Sequence, residues 1–114
     1  MTTWRRGDVV LVPVGFTDQS GVKRRPAVFI SSDRYNVHSP DVMIASITGN
    51  LQAIPHPGDY LLHHWQAAGL LRPSLVQPKI ARVETAILEC RLGRLANDDL
   101  AAFDQGLREA LVRA

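Results

Sequence analysis

The densest concentration of chemistry in this 114-residue chain is Lys23-Arg24-Arg25. These consecutive cations stand at the mouth of an apolar run, Ala27 to Ser31, immediately before Pro26. A guanidinium held where a loop re-enters a sheet can take a phosphate through its planar fork of N–H donors. Pro26 pushes Arg25 toward extended geometry. Strand alternation then sends Arg24 and Arg25 to opposite sides, so one can face a groove while the other faces solvent. Thr48 closes a later apolar run, beside Ser46 and before Gly49. Its hydroxyl can donate to a phosphate oxygen, and the glycine lets backbone approach closely. On charge alone the triplet also reads as a solvated hairpin edge, and Thr48 as an ordinary β-former at a strand end.

Other candidates are weaker. His38, His56, His63 and His64 have no partner at established metal-ligand spacing, and the single Cys90 cannot build a zinc site, so no metal or cofactor is expected. His38 and His56 fall on loops and could serve as a general base. Asp98 and Asp99 resemble paired carboxylates but are better explained as charges favoured at a helix N-terminus. Trp4, Phe16, Tyr60 and Trp65 could stack on bases. No Gly-rich phosphate loop and no G-x-S-x-G appear.

These residues need elements to position them. Val9 to Val14 reads as a strand covered on both faces, Thr17 to Gly21 as a polar loop, and Ala27 to Ser31 as a second strand. Residues 31–36 suit one helical turn capped by a hydroxyl or by Asp33. Asp41 to Thr48 reads as a third strand. Tyr60 to Ala68 reads as a short strand running into a helical turn that stops at Gly69. Ser74 to Arg82 is strand-like, with Pro78 confining it to an edge or a bulge, and Ala86 to Leu92 makes a last strand. The C-terminal helix starts at an Asn97 cap and puts Leu100, Phe103, Leu107 and Leu111 on one face. Short strands at close spacing with one terminal helix predict a mainly β, α+β domain over 1–114, built as a small barrel.

Composition agrees. The chain is 46% hydrophobic with a net charge of +2, which argues for a folded core rather than disorder. At this size dimerisation would add stability. The lone Cys90 excludes an internal disulfide, the N-terminus carries no signal-peptide pattern, and no apolar run is long enough to span a bilayer. A cytoplasmic protein with no membrane partner is the expectation.

Several segments, in order, resemble the MazF/PemK toxin family. They are Arg6-Gly-Asp-Val-Val-Leu-Val, Lys23 to Asn36, Ile44-Ala-Ser-Ile-Thr48, Ala68-Gly-Leu-Leu-Arg-Pro-Ser-Leu-Val76, and Leu92-Gly-Arg-Leu95 leading into the terminal helix. The resemblance implies an SH3-like barrel of the MazF/CcdB type with a C-terminal amphipathic helix, assembled as a homodimer. It also implies a metal-independent endoribonuclease acting on single-stranded RNA. The implied partner is an antitoxin that covers the RNA site, with operator DNA bound only through the antitoxin complex. Arg25 matches the arginine of the family's Arg-Pro motif and Thr48 the hydroxyl residue closing the third strand, both positions of catalysis. Lys23, Arg24, Phe16, Thr17, Gln19, Ser46, Gln77 and Lys79 are the candidate RNA contacts. Some members carry a carboxylate on the strand that here reads Ser74 to Arg82. This chain has Gln77 and Lys79 there, so no carboxylate base carries over. Two other classes remain open: a CcdB-like, non-catalytic inhibitor of DNA gyrase, and an SH3-like adaptor.

Overall fold

The computed structural model describes residues 4–15, 22–52 and 55–112. Its elements in chain order are β1 (Asp8–Gly15), β2 (Val22–Phe29), α1 (Asp33–His38), β3 (Asp41–Thr48), β4 (Tyr60–Leu61), β5 (Leu75–Glu84), a 3-10 turn (Thr85–Ile87), β6 (Arg91–Arg94) and α2 (Asn97–Val112). Six strands form one antiparallel sheet in the order β4-β5-β3-β2-β1-β6. With the terminal helix they make the mostly β half-barrel expected from the sequence.

Both faces of the sheet are apolar, which is why β1 and β3 lack clean alternation. Val9, Val28, Ala45, Ile47 and Val76 pack with Phe103 and Leu107 of α2 in one cluster. Val10, Val12, Ala27, Phe29, Val42 and Ile44 form a second cluster on the other face, with Leu88 and the half-buried Trp4 over it. The barrel closes where the segment after β4 crosses to β6. A Cβ on Gly69 (φ 81°) would lie 2.1 Å from the Leu92 carbonyl oxygen, so glycine is required at that crossing.

Several boundaries differ from expectation. β2 begins at Val22 rather than Ala27, so the cationic triplet lies within the strand. Pro26 is tolerated because Leu11, its partner in β1, turns both its N–H and its C=O toward residues 89–90. The pair is therefore not hydrogen-bonded, and the Pro26 nitrogen faces the β3 side, where pairing starts only at Ala27. Pro78 sits in a bulge: between Ala45↔Ile80 and Ile47↔Val76, residues 77–79 of β5 face Ser46 alone. The last strand is Arg91–Arg94, not Ala86 to Leu92, because Thr85–Ile87 turns the chain from β5 toward β1.

The helices follow their local signals more closely. Ser32 caps α1 by accepting from the Tyr35 N–H at 3.1 Å. In α2 the Ala96 carbonyl already accepts from the Leu100 N–H, so Asn97 is the first helical residue and not the one before it. Phe103 and Leu107 are buried and Leu100 partly so, but Leu111 is 62% exposed because the helix outruns the sheet beneath it. Among the described residues no helix is long and apolar enough to cross a membrane.

Candidate functional site

The β2–β3 pairing ends at Ala27↔Ser46, two residues short of both leading candidates. Continuing the β2–β3 register from Ala27↔Ser46 by two residues sets Arg25 across from Thr48. Thr48 in turn pairs with Leu75, and Leu75 with Leu61. Directly opposed residues share a face, so Thr48, Leu75 and Leu61 form a row across the sheet, which Arg25 joins if the β2–β3 register is continued past the last pair. Neighbouring strands lie about 5 Å apart, so one phosphate is within reach of both Arg25 and Thr48. The row lies on the face of the second cluster, where apolar Phe29 and Ile44 give way to Ala27 and Ser46 and then to Arg25 and Thr48. A packed floor thus runs into a polar ledge.

The chemistry of the pair is well defined. Arg25 is exposed, and among the described residues nothing hydrogen-bonds or ion-pairs with its guanidinium. The Thr48 hydroxyl oxygen accepts from the Asn50 N–H at 3.1 Å. That bond occupies one lone pair and leaves the hydroxyl proton available to donate. Arg24 has the opposite fate. Its Nε–H donates to both carboxylate oxygens of Glu89 at 2.7 Å, and this hydrogen bond, with the attendant charge attraction, raises its pKa. Lys23 is exposed at the start of β2.

The remaining candidates divide. Ser46 is half-buried one row from Thr48. Gln77 is buried and Lys79 exposed, and both line a cavity with His56, Asp59 and Pro78. His38 ends α1, beyond the far end of β2 from Arg25. Phe16, Thr17 and Gln19 lie outside the described residues. Among the described residues no group of three His, Cys, Asp or Glu side chains is placed to hold a metal ion.

Two neighbours of the site were missed in the sequence. Arg72 folds over Gly49: a Cβ there would lie 2.6 Å from Arg72 Cδ, which brings a further exposed cation beside Thr48. No local pattern signals that contact, because it depends on how the 62–74 segment returns to β5. The second is Asp99, which is more than a helix-terminal charge. It is fully buried, and its carboxylate accepts from the Tyr60 hydroxyl (2.7 Å) and from the backbone N–H groups of His63 (3.1 Å) and His64 (2.9 Å). Burial pushes its pKa up, but the bonds from Tyr60, His64 and His63 outweigh this and hold it below the ordinary carboxylate value. Burial, and then the Asp99 carboxylate, push the Tyr60 phenol up to about 12. This network ties β4 and its following turn to α2, and so fixes the wall that carries Asp59.

A family model for PemK-like, MazF-like toxins of type II toxin–antitoxin systems matches residues 5–111. The chain belongs to this family. Solved structures share the MazF fold at low identity. An endoribonuclease in complex with its cognate antitoxin, from a mycobacterial species, superposes with a TM-score of 0.75 at 20% identity, covering 94% of this chain and 93% of that one. The toxin MazF-mt6 of Mycobacterium tuberculosis gives 0.72 at 17% identity, over 90% and 94% of the two chains. A MazE–MazF structure from Deinococcus radiodurans gives 0.72 at 21% identity, over 96% and 97%. The resemblance seen in the separate sequence segments is therefore a family relationship.

Proposed function

We propose that this MazF-family chain is a single domain over residues 1–114 that cuts single-stranded RNA at short sequences by attack of a 2′-hydroxyl on the adjacent phosphorus. The 2′-oxygen forms a bond to phosphorus as it loses its proton to solvent water, and the bond to the 5′-oxygen breaks as that oxygen gains a proton from Arg25 or from solvent. The products are a 2′,3′-cyclic phosphate and a 5′-hydroxyl. The nucleophile is internal to the substrate, so the step calls for charge stabilisation more than for an activated water, and no metal or cofactor is assigned a role. Arg25 stabilises the phosphorane with charge-assisted hydrogen bonds and can pass a proton to the leaving oxygen. A guanidinium is protonated at rest, so it cannot be the base that takes the 2′-hydroxyl proton. Thr48 donates its free proton to a non-bridging oxygen and orients the phosphate.

The observation that carries this reading is the shared row. Arg25 is exposed with no partner among the described residues, Thr48 has a hydroxyl proton free to donate, and the register of the last β2–β3 pair, continued by two residues, sets one across from the other. Lys23 and Lys79 hold flanking phosphates, while Arg24, its Nε–H held and its charge offset by Glu89, adds field rather than contact. Ser46 and Gln77 contact the RNA beside the row, and Phe16, Thr17 and Gln19, which lie outside the described residues, are assigned contacts to bases. The partners are a cognate antitoxin that covers the site, a second copy of the chain, and operator DNA through the antitoxin complex. The setting is the cytoplasm.

The test is cleavage of a long single-stranded RNA in excess EDTA by wild type and Arg25→Ala. Discrete cuts with cyclic-phosphate ends, reduced roughly 10²-fold or more in the variant, are expected from the loss of an oxyanion-type donor. Equal cleavage by both proteins would remove Arg25 from the mechanism. Capture of DNA gyrase without any RNA cleavage would overturn the reading in favour of an inhibitor.

A further inference from the structure

The strands beyond Thr48 carry an apolar surface that the phosphate chemistry does not use. Thr48 pairs with Leu75, and Leu75 pairs with Leu61. The neighbouring row is Ile47, Val76 and Tyr60. Ile47 and Val76 are buried in the first core cluster and Tyr60 packs against it. Strand alternation therefore turns Thr48, Leu75 and Leu61 to the other side of the sheet. Neither leucine belongs to a core cluster or packs against one. Leu75 is half-buried and Leu61 is 49% exposed. Core packing therefore accounts for neither side chain, and an exposed leucine on an edge strand invites aggregation.

The surroundings of this shelf suit a nucleobase. It begins at the Thr48 hydroxyl, and neighbouring strands lie about 5 Å apart, so Leu75 is one spacing and Leu61 two spacings from Thr48. A base reaches that far from its own phosphate. The shelf is also held in place. Tyr60, beside Leu61, donates to the buried Asp99 carboxylate at 2.7 Å, and the Leu62 N–H donates to the Ser74 carbonyl at 3.0 Å. A cation for the RNA backbone stands at the same end of β3. Arg72 is exposed, its stem lies against Gly49, and its guanidinium has no hydrogen-bond or ion-pair partner among the described residues.

Resting on the RNA-cleaving reading above, we infer that Leu75 and Leu61 form a base subsite: the base of the nucleotide joined to the phosphate at Thr48 lies flat on the two leucines. Single-stranded RNA can present a base in this way because its bases are unstacked and splay out. A leucine side chain offers no hydrogen-bonding group, so the subsite meets the face of a base and not its edge. Every base has a face, so the contact tolerates any sequence. Its strength follows the apolar area covered, which is larger for a purine than for a pyrimidine. Sequence choice at the cut then comes from contacts other than this one.

The experiment measures binding of 2′-O-methyl hexamers, which lack the nucleophile, to the full chain. The probes are oligo-A, oligo-U and a strand of the same charge with every base removed. Wild type should bind oligo-A roughly tenfold more tightly than the baseless strand, with oligo-U between them. Leu61→Ser should narrow the gap between oligo-A and the baseless strand about fivefold, while the affinity of the baseless strand and its salt dependence stay unchanged. Leu61→Met keeps an apolar surface and should keep the gap. Equal binding of oligo-A and the baseless strand by wild type, or no binding at all, overturns the inference, and these arms need no variant. Equal weakening of both strands by Leu61→Ser also overturns it, because that marks a structural role. So does loss of a wild-type dimer in sedimentation on Leu61→Ser with the gap intact, which gives the shelf to a second copy of the chain. Cleavage assays in EDTA separate the two readings. Cleavage with no Leu61-dependent gap strikes the subsite and leaves the endoribonuclease. A Leu61-dependent gap without cleavage leaves a base-binding shelf and strikes the cleavage.

Discussion

Replacing Asp99 by Asn tests how the wall of the candidate site is held. The carboxylate takes three donors: Oδ1 from the Tyr60 hydroxyl and the His63 N–H, and Oδ2 from the His64 N–H. Asparagine has one acceptor oxygen, so its amide N–H₂ must face at least one of those donors. The change loses a hydrogen bond to a charged group, worth about 1.5–3 kcal/mol, and leaves a buried donor unmet at about 1–3 kcal/mol. Partial relaxation brings the expected loss to roughly 3 kcal/mol. With about 2.1 cal/mol/K per residue over 114 residues, this corresponds to a fall in Tm of about 12 °C. Tyr60→Phe removes one of the three bonds and should cost about 1 kcal/mol. The double variant should fall short of the sum by roughly 1 kcal/mol, because each single change has already broken the shared bond. The pH dependence has a definite sign. A carboxyl whose folded pKa lies below its unfolded value contributes fully above the ordinary carboxylate value and loses that contribution as pH falls through the folded pKa. The gap between wild type and Asp99→Asn should therefore hold from neutral pH to about pH 5 and close only in strong acid. Thermal melts followed by circular dichroism at several pH values give all of these quantities. A loss under about 1 kcal/mol, or strict additivity with Tyr60→Phe, would refute the idea that this buried carboxylate anchors β4 to α2.

Three further outcomes are expected. The Tyr60 phenol should ionise near pH 12 in an ultraviolet titration, and Asp99→Asn should bring it down toward the ordinary tyrosine value; a wild-type midpoint near 10 for both tyrosines would contradict the network. Gly69→Ala puts a Cβ 2.1 Å from the Leu92 carbonyl oxygen at a φ of 81°, and should cost about 3 kcal/mol or more from strain and overpacking; a melt within about 1 kcal/mol of wild type would show that the barrel does not close there. Thr48→Ala should lower single-turnover cleavage more than RNA affinity, whereas the opposite split would make Thr48 a binding contact only.

Local reading went far where one physical signal dominated. β1 and β3 are continuous β-branched runs that only a sheet apolar on both faces can bury, and both were placed within a residue or two. The Ser32 cap and the spacing of Phe103 and Leu107 are short-range and were equally legible. Errors arose where a distant partner decides. β2 extends back through the cationic triplet because β1 offers a partner strand along its whole length, a pairing invisible in the triplet itself. Leu111 fits the helical period but has no sheet beneath it. Asp99 has the residue type of a helix-terminal charge, and only the arrival of Tyr60, His63 and His64 makes it a buried anchor.

Residue type and order determined by themselves that the chain is a small β-rich barrel with a terminal helix. They also singled out Arg25 and Thr48, because phosphate chemistry needs a fixed cation and a hydroxyl and these stand at strand ends in the MazF order. Tertiary structure decided which groups are available. It occupies Arg24 with Glu89, leaves Arg25 without a partner among the described residues, sets the Asn50 N–H on the Thr48 hydroxyl oxygen, and brings Tyr60, His63 and His64 to the Asp99 carboxylate. The reason is physical: residue type states what a side chain can donate or accept, but only the register of strands distant in the chain states what it meets.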